Sequence, residues 1–245
     1  LMSRPIDRDP RPASRETVAR LLERYDRPGP RYTSYPTAVE FHDGVDAATC
    51  ESRLADANLQ GDEPLSFYLH LPFCHERCSF CGCHVIITPH EERARPYLEM
   101  LRQELDLVAA RLPDRRRLSQ LHLGGGTPTY YAPADLRILL EHLLQSFQPT
   151  DDAELAVEVD PRVTSREHVD VLADLGFNRI SLGVQDFTPR VQEAVNRVQS
   201  YEQTASIIDY ARTRGYHGIN VDLIYGLPHQ TPETFEAPVA QVPAA

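Results

Sequence analysis

The sequence predicts an α/β fold, a partial parallel (β/α) barrel behind a helical and irregular N-terminal extension, and three observations carry that expectation. Five short apolar runs alternate with amphipathic stretches of helical period, an order that implies parallel strands joined by right-handed crossovers. Polar side chains recur where the apolar runs end, the position at which parallel barrels gather reactive groups. An open sheet and a barrel are both compatible with five strands, though five do not close a barrel comfortably. At 245 residues, 41% hydrophobic and 25% charged, the chain has ordinary globular composition and is long enough for one large core.

Residues 1–13 are rich in Pro and Arg. From Ser14 a serine cap precedes apolar residues at helical spacing, which predicts a short helix. After Pro28-Gly29-Pro30 comes Arg31-Tyr32-Thr33-Ser34-Tyr35-Pro36-Thr37-Ala38, irregular by its Pro and hydroxyl content, with two aromatics and one guanidinium, a binding-loop candidate. A second helix is expected over 47–58, then a buried strand over 66–72, ended by Pro72, which cannot donate to a sheet. Further strands are expected near 120–123, 155–159, 179–184 and 218–224, with helices near 91–112, 133–147, 165–175 and 201–214. The expected division is an extension over 1–61, carrying a substrate-facing arm, and a core over 62–245. A helical start at Pro232 is soon followed by the last residue, so the core is expected to be incomplete at its C-terminus.

The formal charge of −11 argues against a broad phosphate-contacting face, and no nucleic-acid partner is expected. The balance is uneven: residues 1–32 carry net +3 and the remainder −14, so the arm is either a solvated tail or faces an anion. No apolar run approaches the roughly 18 residues of a membrane span, and residues 1–27 hold no signal-peptide block, which predicts a cytoplasmic protein without a membrane span. Four of five cysteines lie within ten residues, unlike a disulfide framework. The fifth, Cys50, is expected to be at least partly buried.

Just past the first strand lies Cys74-His75-Glu76-Arg77-Cys78-Ser79-Phe80-Cys81-Gly82-Cys83. Its C-x3-C-x2-C spacing can hold three irons of a cubane cluster and leave the fourth without a protein ligand. A four-cysteine zinc knuckle and a closed electron-transfer cluster are the alternatives. Both are disfavoured because a single residue separates Cys81 from Cys83, whereas zinc pairs leave two to four. After the second strand, Gly124-Gly125-Gly126-Thr127 exposes bare backbone to close approach by a ligand or makes a tight strand exit. Glu158, Gln185 and Asp222 stand where later strands end. Buried unpaired, each would cost several kcal/mol (roughly 2–7), so they are expected to face a common polar cavity or to staple one another. Asp160 and Asp186 read as caps or turn residues. Arg197 reads either as a fork for a carboxylate or as a surface salt bridge.

Taken together these residues resemble the radical S-adenosylmethionine superfamily, over about residues 31–231. The Arg31–Thr37 segment, Cys81-Gly82-Cys83 and Gly183-Val184-Gln185-Asp186-Phe187 are similar, within it, to the oxygen-independent coproporphyrinogen III oxidases (dehydrogenases) of heme and porphyrin biosynthesis. The resemblance implies a barrel of the radical SAM type and a [4Fe-4S] cluster on Cys74, Cys78 and Cys81. It implies that S-adenosylmethionine chelates the open iron and yields a 5′-deoxyadenosyl radical. It places Tyr68 beside the cluster as the catalytic candidate, Gly125, Gly126 and Thr127 at the methionine moiety, Glu158, Gln185, Arg197 and Asp222 on the cofactor, and Phe80 on the adenine. A second S-adenosylmethionine is implied, sharing Phe80, Gly125, Gln185 and Arg197. The implied oxidoreductase reaction converts two propionates of coproporphyrinogen III to vinyl groups, giving protoporphyrinogen IX, with a low-potential electron donor, in a monomer. Arg31 is the candidate contact for a substrate carboxylate, and Cys83 is a hallmark rather than a ligand. The rival readings are a heme-chaperone relative of the same superfamily, which usually lacks both the arm and the fourth cysteine, and a redox-sensing iron-sulfur protein.

Overall fold

The computed structural model describes residues 14–26, 37–61 and 63–242. The chain divides into two units, Leu1–Ala47 and Ala48–Ala245. In the first, helix α1 (Arg15–Tyr25) is capped as the sequence predicts, the Ser14 side chain accepting from Thr17 N. Arg31 and most of the binding-loop candidate lie outside the described residues.

The second unit begins with helix α2 (Ala47–Asn58) and then winds strands and helices in turn. The strands are β1 (Leu65–Leu71), β2 (Phe73–Cys74), β3 (Ile86–Ile87), β4 (Arg117–Gly125), β5 (Gln148–Val159), β6 (Arg179–Gln185) and β7 (Gly218–Leu223). The helices are α3 (Arg95–Arg111), α4 (Pro133–Ser146), α5 (Arg166–Asp174), α6 (Pro189–Ala194), α7 (Tyr201–Thr213) and α8 (Pro232–Gln241). Five strands form one parallel sheet in the order β1-β4-β5-β6-β7, and β2 pairs with β3 in a separate parallel ribbon. Because each strand adds beside its predecessor and the order never reverses, the sheet winds in one direction as a barrel does. Helices α3, α4, α5 and α7 touch in chain order and so make one layer.

That layer explains the core. Leu136, Leu139, Leu140 and Leu143 recur at helical spacing on α4 and are fully buried against Leu121, Leu123, Leu155 and Phe147. The expected first strand is present and stops before Pro72, but only one of its faces is buried: Leu69 and Leu71 point to the core while Tyr68 is 57% exposed. The same alternation runs through β4, β6 and β7, so the sheet has an apolar face under the helices and a polar face opposite. Strand β5 extends seven residues earlier than expected, since Gln148 and Pro149 pair with Arg117 and Leu118 despite the polar Thr150-Asp151-Asp152. Helix α6 and the β2/β3 ribbon carry too few residues for a periodic signal. Cys50 is exposed, correcting the expectation of burial, because α2 buries none of its residues fully. Among the described residues, no helix is long and apolar enough to cross a membrane.

Candidate functional site

The cysteine loop leaves β1 through Pro72 and is pinned by backbone. Ile86 N donates to Pro72 O at 2.9 Å and Thr88 N to Cys74 O at 3.0 Å, which makes the ribbon, and Cys81 N donates to Cys78 O at 3.1 Å in a turn. From across the sheet, Ser79 N donates to Val195 O at 3.0 Å and Asn196 Nδ2 to Arg77 O at 3.0 Å. The thiols are all free: Cys78 is buried, Cys74 and Cys81 are half-buried and Cys83 is exposed. Burial, before all other causes, pushes the Cys74 and Cys83 thiols up.

Beside the loop opens a cavity of about 540 Å³. Cys74, Cys78, Cys81, Cys83 and Phe80 line one side, Gly125, Gly126 and Thr127 the base, and Glu158, Gln185, Arg197 and Asp222 the far wall. The three polar residues expected to share a cavity therefore do so. The glycines are required by geometry. Gly125 has φ of +121°, and a Cβ on Gly126 would stand 2.5 Å from Pro72 O. Their backbone contributes too, Gly126 N donating to Leu71 O at 2.9 Å and Thr127 N to Phe73 O at 3.0 Å.

On the far wall, side chains hold one another. Ser181 Oγ donates to Asp222 Oδ2 at 3.1 Å and Asn220 Nδ2 to Asp222 Oδ1 at 2.8 Å, so both carboxylate oxygens are aimed. His122 Nε2 lies 3.0 Å from Glu158 Oε1. Gln185 carries φ of +69°, a strained backbone for a side chain with a Cβ, at the irregular end of β6. Tyr68 is not part of the cavity wall. It stacks on His122 at 5.9 Å and its hydroxyl lies 3.0 Å from His70 Nδ1. With His70 Nε2 3.0 Å from His84 O, the consistent tautomer has Nε2–H donating and Nδ1 accepting from the phenol. Burial, then the Glu158 charge, raises the phenol above its ordinary range. Phe80 packs with Val191, Val195 and Leu227 in a small apolar cluster as well as facing the cavity.

Two sequence readings change. Asp160 is a turn residue, its Oδ1 accepting from Arg162 N at 3.0 Å, but it is also a buried anion between Arg162 at 2.7 Å and Arg197 at 3.0 Å. Burial alone pushes its carboxyl up. The Arg162 hydrogen bonds and both guanidinium charges outweigh that and hold it below the ordinary carboxylate range. Arg197 is 8% exposed, so its pair with Asp160 is no surface salt bridge; its Nε is buried without a partner. Asp186 keeps the turn reading, accepting from Thr188 N at the entry to α6. Arg162, His122 and Ser181 were not singled out from sequence. The available signal was their period: Ser181 is the register partner of Glu158 and Asn220, His122 pairs with Ala156 two residues before Glu158, and Arg162 follows Asp160 by two.

Residues 68–239 match the family model described as the Radical SAM superfamily. The chain is 46% identical over 226 residues to the oxygen-independent coproporphyrinogen III oxidase of Pseudomonas aeruginosa, covering 91% of this chain and 49% of that protein. The same enzyme of Escherichia coli strain K12 is 46% identical over 215 residues, covering 88% and 46%. The solved structure of coproporphyrinogen III oxidase from Escherichia coli, described as a radical SAM enzyme, superposes with a TM-score of 0.82 at 43% identity, covering 90% of this chain and 49% of that one. The chain thus spans about half the length of the curated relatives it matches. The cofactors of the superfamily are a [4Fe-4S] cluster and S-adenosylmethionine. The donor set here fits them: the Cys74, Cys78, Cys81 and Cys83 thiols line one chamber, the first three at C-x3-C-x2-C spacing. A bare glycine backbone, the Glu158 and Asp222 carboxylates and Arg197 line the space an amino-acid nucleotide needs. On the strength of a family match that covers most of the chain and of a three-thiol loop built at the mouth of a one-way parallel sheet, the chain belongs to the radical SAM superfamily.

Proposed function

We propose that this chain carries the radical-generating core of an oxygen-independent coproporphyrinogen III oxidase, which converts two propionates of coproporphyrinogen III to vinyl groups and yields protoporphyrinogen IX. One observation carries the reading: the polar cavity at the cysteine loop belongs to a chain 46% identical to named oxidases over 91% of its length. When bound, the cluster and S-adenosylmethionine supply one-electron cleavage of a sulfonium to a carbon radical able to take a hydrogen atom from a propionate β-carbon. Loss of CO2, with transfer of one electron to a one-electron acceptor, then leaves each vinyl group.

The residues of the chain do the rest. Cys74, Cys78 and Cys81 would hold three irons, and Cys83 stays a neighbour rather than a ligand. Gly125, Gly126 and Thr127 let the methionine moiety approach the backbone, and Asp222, held by Ser181 and Asn220, accepts from hydroxyl donors. Glu158 accepts from an ammonium, while Arg197, at the cavity wall, attracts a carboxylate by its charge. Tyr68 stands beside Glu158 as the catalytic candidate, Gln185 and Phe80 complete the cofactor contacts, and a second S-adenosylmethionine would share them. In this reading the residues over 62–245 form the core and the arm over 1–61 supplies Arg31 to a substrate carboxylate. The protein works as a cytoplasmic monomer with a low-potential electron donor.

The test is anaerobic: reconstitute with iron and sulfide, add reductant, S-adenosylmethionine and coproporphyrinogen III, and follow methionine, 5′-deoxyadenosine and vinyl product. Cofactor cleavage with vinyl product is expected. Cleavage without it rejects the oxidase for this chain. Tyr68→Ala and Asp222→Ala are expected to lower cleavage at least tenfold with iron content near wild type, about 1.4 kcal/mol of lost interaction. Wholesale iron loss in both would make them structural supports.

A further inference from the structure

Cys78 is the most withdrawn thiol of the loop, 7% exposed, and two guanidiniums approach its sulfur: Arg197 Nη1 at 3.5 Å and Arg162 Nη2 at 3.8 Å. Both are held by Asp160. Arg162 grips it as a fork, Nε at 3.1 Å from each oxygen and Nη2 at 2.7 Å from Oδ2, and Arg197 Nη1 adds 3.0 Å. Because Arg162 N also donates to Asp160 Oδ1, the side chain folds back on its own turn and its aim is set within Asp160-Pro161-Arg162. Two guanidiniums and one carboxylate leave one net positive charge at this sulfur. Cys74, by contrast, has the neutral Thr127 hydroxyl at 3.3 Å and the Asp160 charge as its neighbours, with no guanidinium hydrogen bond among the described residues. The loop is therefore electrostatically lopsided toward Cys78.

We propose that Arg162 is a positioning residue for the cluster: clamped by Asp160, it donates an N–H to the Cys78 sulfur and sets how readily the cluster takes one electron from a low-potential donor. Reduction adds a negative charge, and a hydrogen bond to a ligating sulfur together with a nearby cation stabilises the reduced form more than the oxidised one. With 20% of its side chain exposed, Arg162 is weakly screened by salt. The inference rests on the cluster assignment to Cys74, Cys78 and Cys81 and is independent of the porphyrinogen substrate. Arg197 shares the sulfur, but it is also placed among the cofactor contacts and donates to Gly183 O, so Arg162 is the better probe of the effect.

The experiment uses the full chain reconstituted anaerobically, without S-adenosylmethionine, and reads the reduced-to-oxidised ratio by visible and paramagnetic-resonance titration against poised mediators. In Arg162→Met the ratio at fixed potential is expected to fall about tenfold, a shift of about 59 mV to more negative values for one electron, with iron at the wild-type level. Arg162→Lys keeps the charge and loses the fork, and is expected to recover at least half of that shift on the logarithmic scale. An unchanged ratio in Arg162→Met at full iron overturns the proposal. Equal shifts in the Met and Lys variants overturn it too, and so does iron loss in both, which would make Arg162 a scaffold for the loop. Failure of the wild-type chain to take a [4Fe-4S] cluster is a different result: it sinks the cluster assignment itself, and this inference with it.

Discussion

The two faces of the sheet solve opposite problems. Under the helix layer, Leu136, Leu139, Leu140, Leu143 and Phe147 are fully buried, and stability there follows from apolar area alone. On the other face, at the cysteine loop, polar groups are spent in pairs: His122 with Glu158, Ser181 and Asn220 with Asp222, Arg162 and Arg197 with Asp160. That face also tolerates features that subtract from stability, a strained Gln185, bare glycines and an orphaned Arg197 Nε. One face holds the chain together so that the other can be shaped for a ligand.

Four changes break or sharpen this contrast. Leu139→Ala, in the middle of the apolar face, is expected to cost about 2–5 kcal/mol in denaturant unfolding, with cofactor cleavage per folded molecule unchanged. A large loss of cleavage at full folding would show that the faces are not separable. Gly126→Ala comes next. Its Cβ would meet Pro72 O at 2.5 Å and Phe73 O at 2.8 Å, both backbone, so the cysteine loop must move. About 1–3 kcal/mol of destabilisation is expected, together with a fall in bound iron larger than the stability loss explains. Normal iron content would mean that the loop has more freedom than its hydrogen bonds suggest.

His168 makes the stability of the helix side depend on pH. It closes a capping box on Ser165, and its Nε2 lies 2.8 Å from Tyr131 O, so the neutral ring donates there and accepts at Nδ1 from Ser165 N. Burial, first among the causes, holds its pKa below the ordinary 6.5. Above pH 6.5 the ring is neutral folded or unfolded and the stability is fully present. As pH falls below 6.5 the unfolded chain takes up the proton first, and stability declines until the folded value is passed. His168→Gln is expected to lose about 1 kcal/mol at neutral pH and to show a flatter pH dependence below 6.5; an unchanged slope would rule out His168 as its source. Smallest is Gln185→Gly, which relieves the positive φ. Stability should rise by less than about 1 kcal/mol while S-adenosylmethionine binding weakens, read by thermal unfolding and by equilibrium dialysis. Lower stability would mean that the Gln185 side chain supports the fold.

Much of this was legible along the chain. Apolar runs of strand length, the Ser14 cap and the stop at Pro72 are local signals, and the corresponding elements stand within a few residues of where those signals put them. The C-x3-C-x2-C loop, the three glycines and the polar residues at strand ends were equally readable, and all but Gly124, Tyr68, Asp186 and the undescribed Arg31 line one cavity. Less legible was the two-sidedness of the strands. Tyr68 and His70 in β1, Ser181 in β6 and Asn220 in β7 alternate with apolar residues, yet runs so short also read as wholly buried.

The sequence by itself determined the donor atoms and the elements that present them, because thiol spacing, strand period and caps act over a few residues and need no partner from afar. Only the tertiary structure decided which charges meet. Arg162 and Arg197 reach Cys78 across 84 and 119 positions of chain, and Glu158 finds His122 across 36, after the parallel sheet has brought consecutive strand ends side by side. Such pairings depend on strand order and register, long-range quantities that no local pattern of residues encodes.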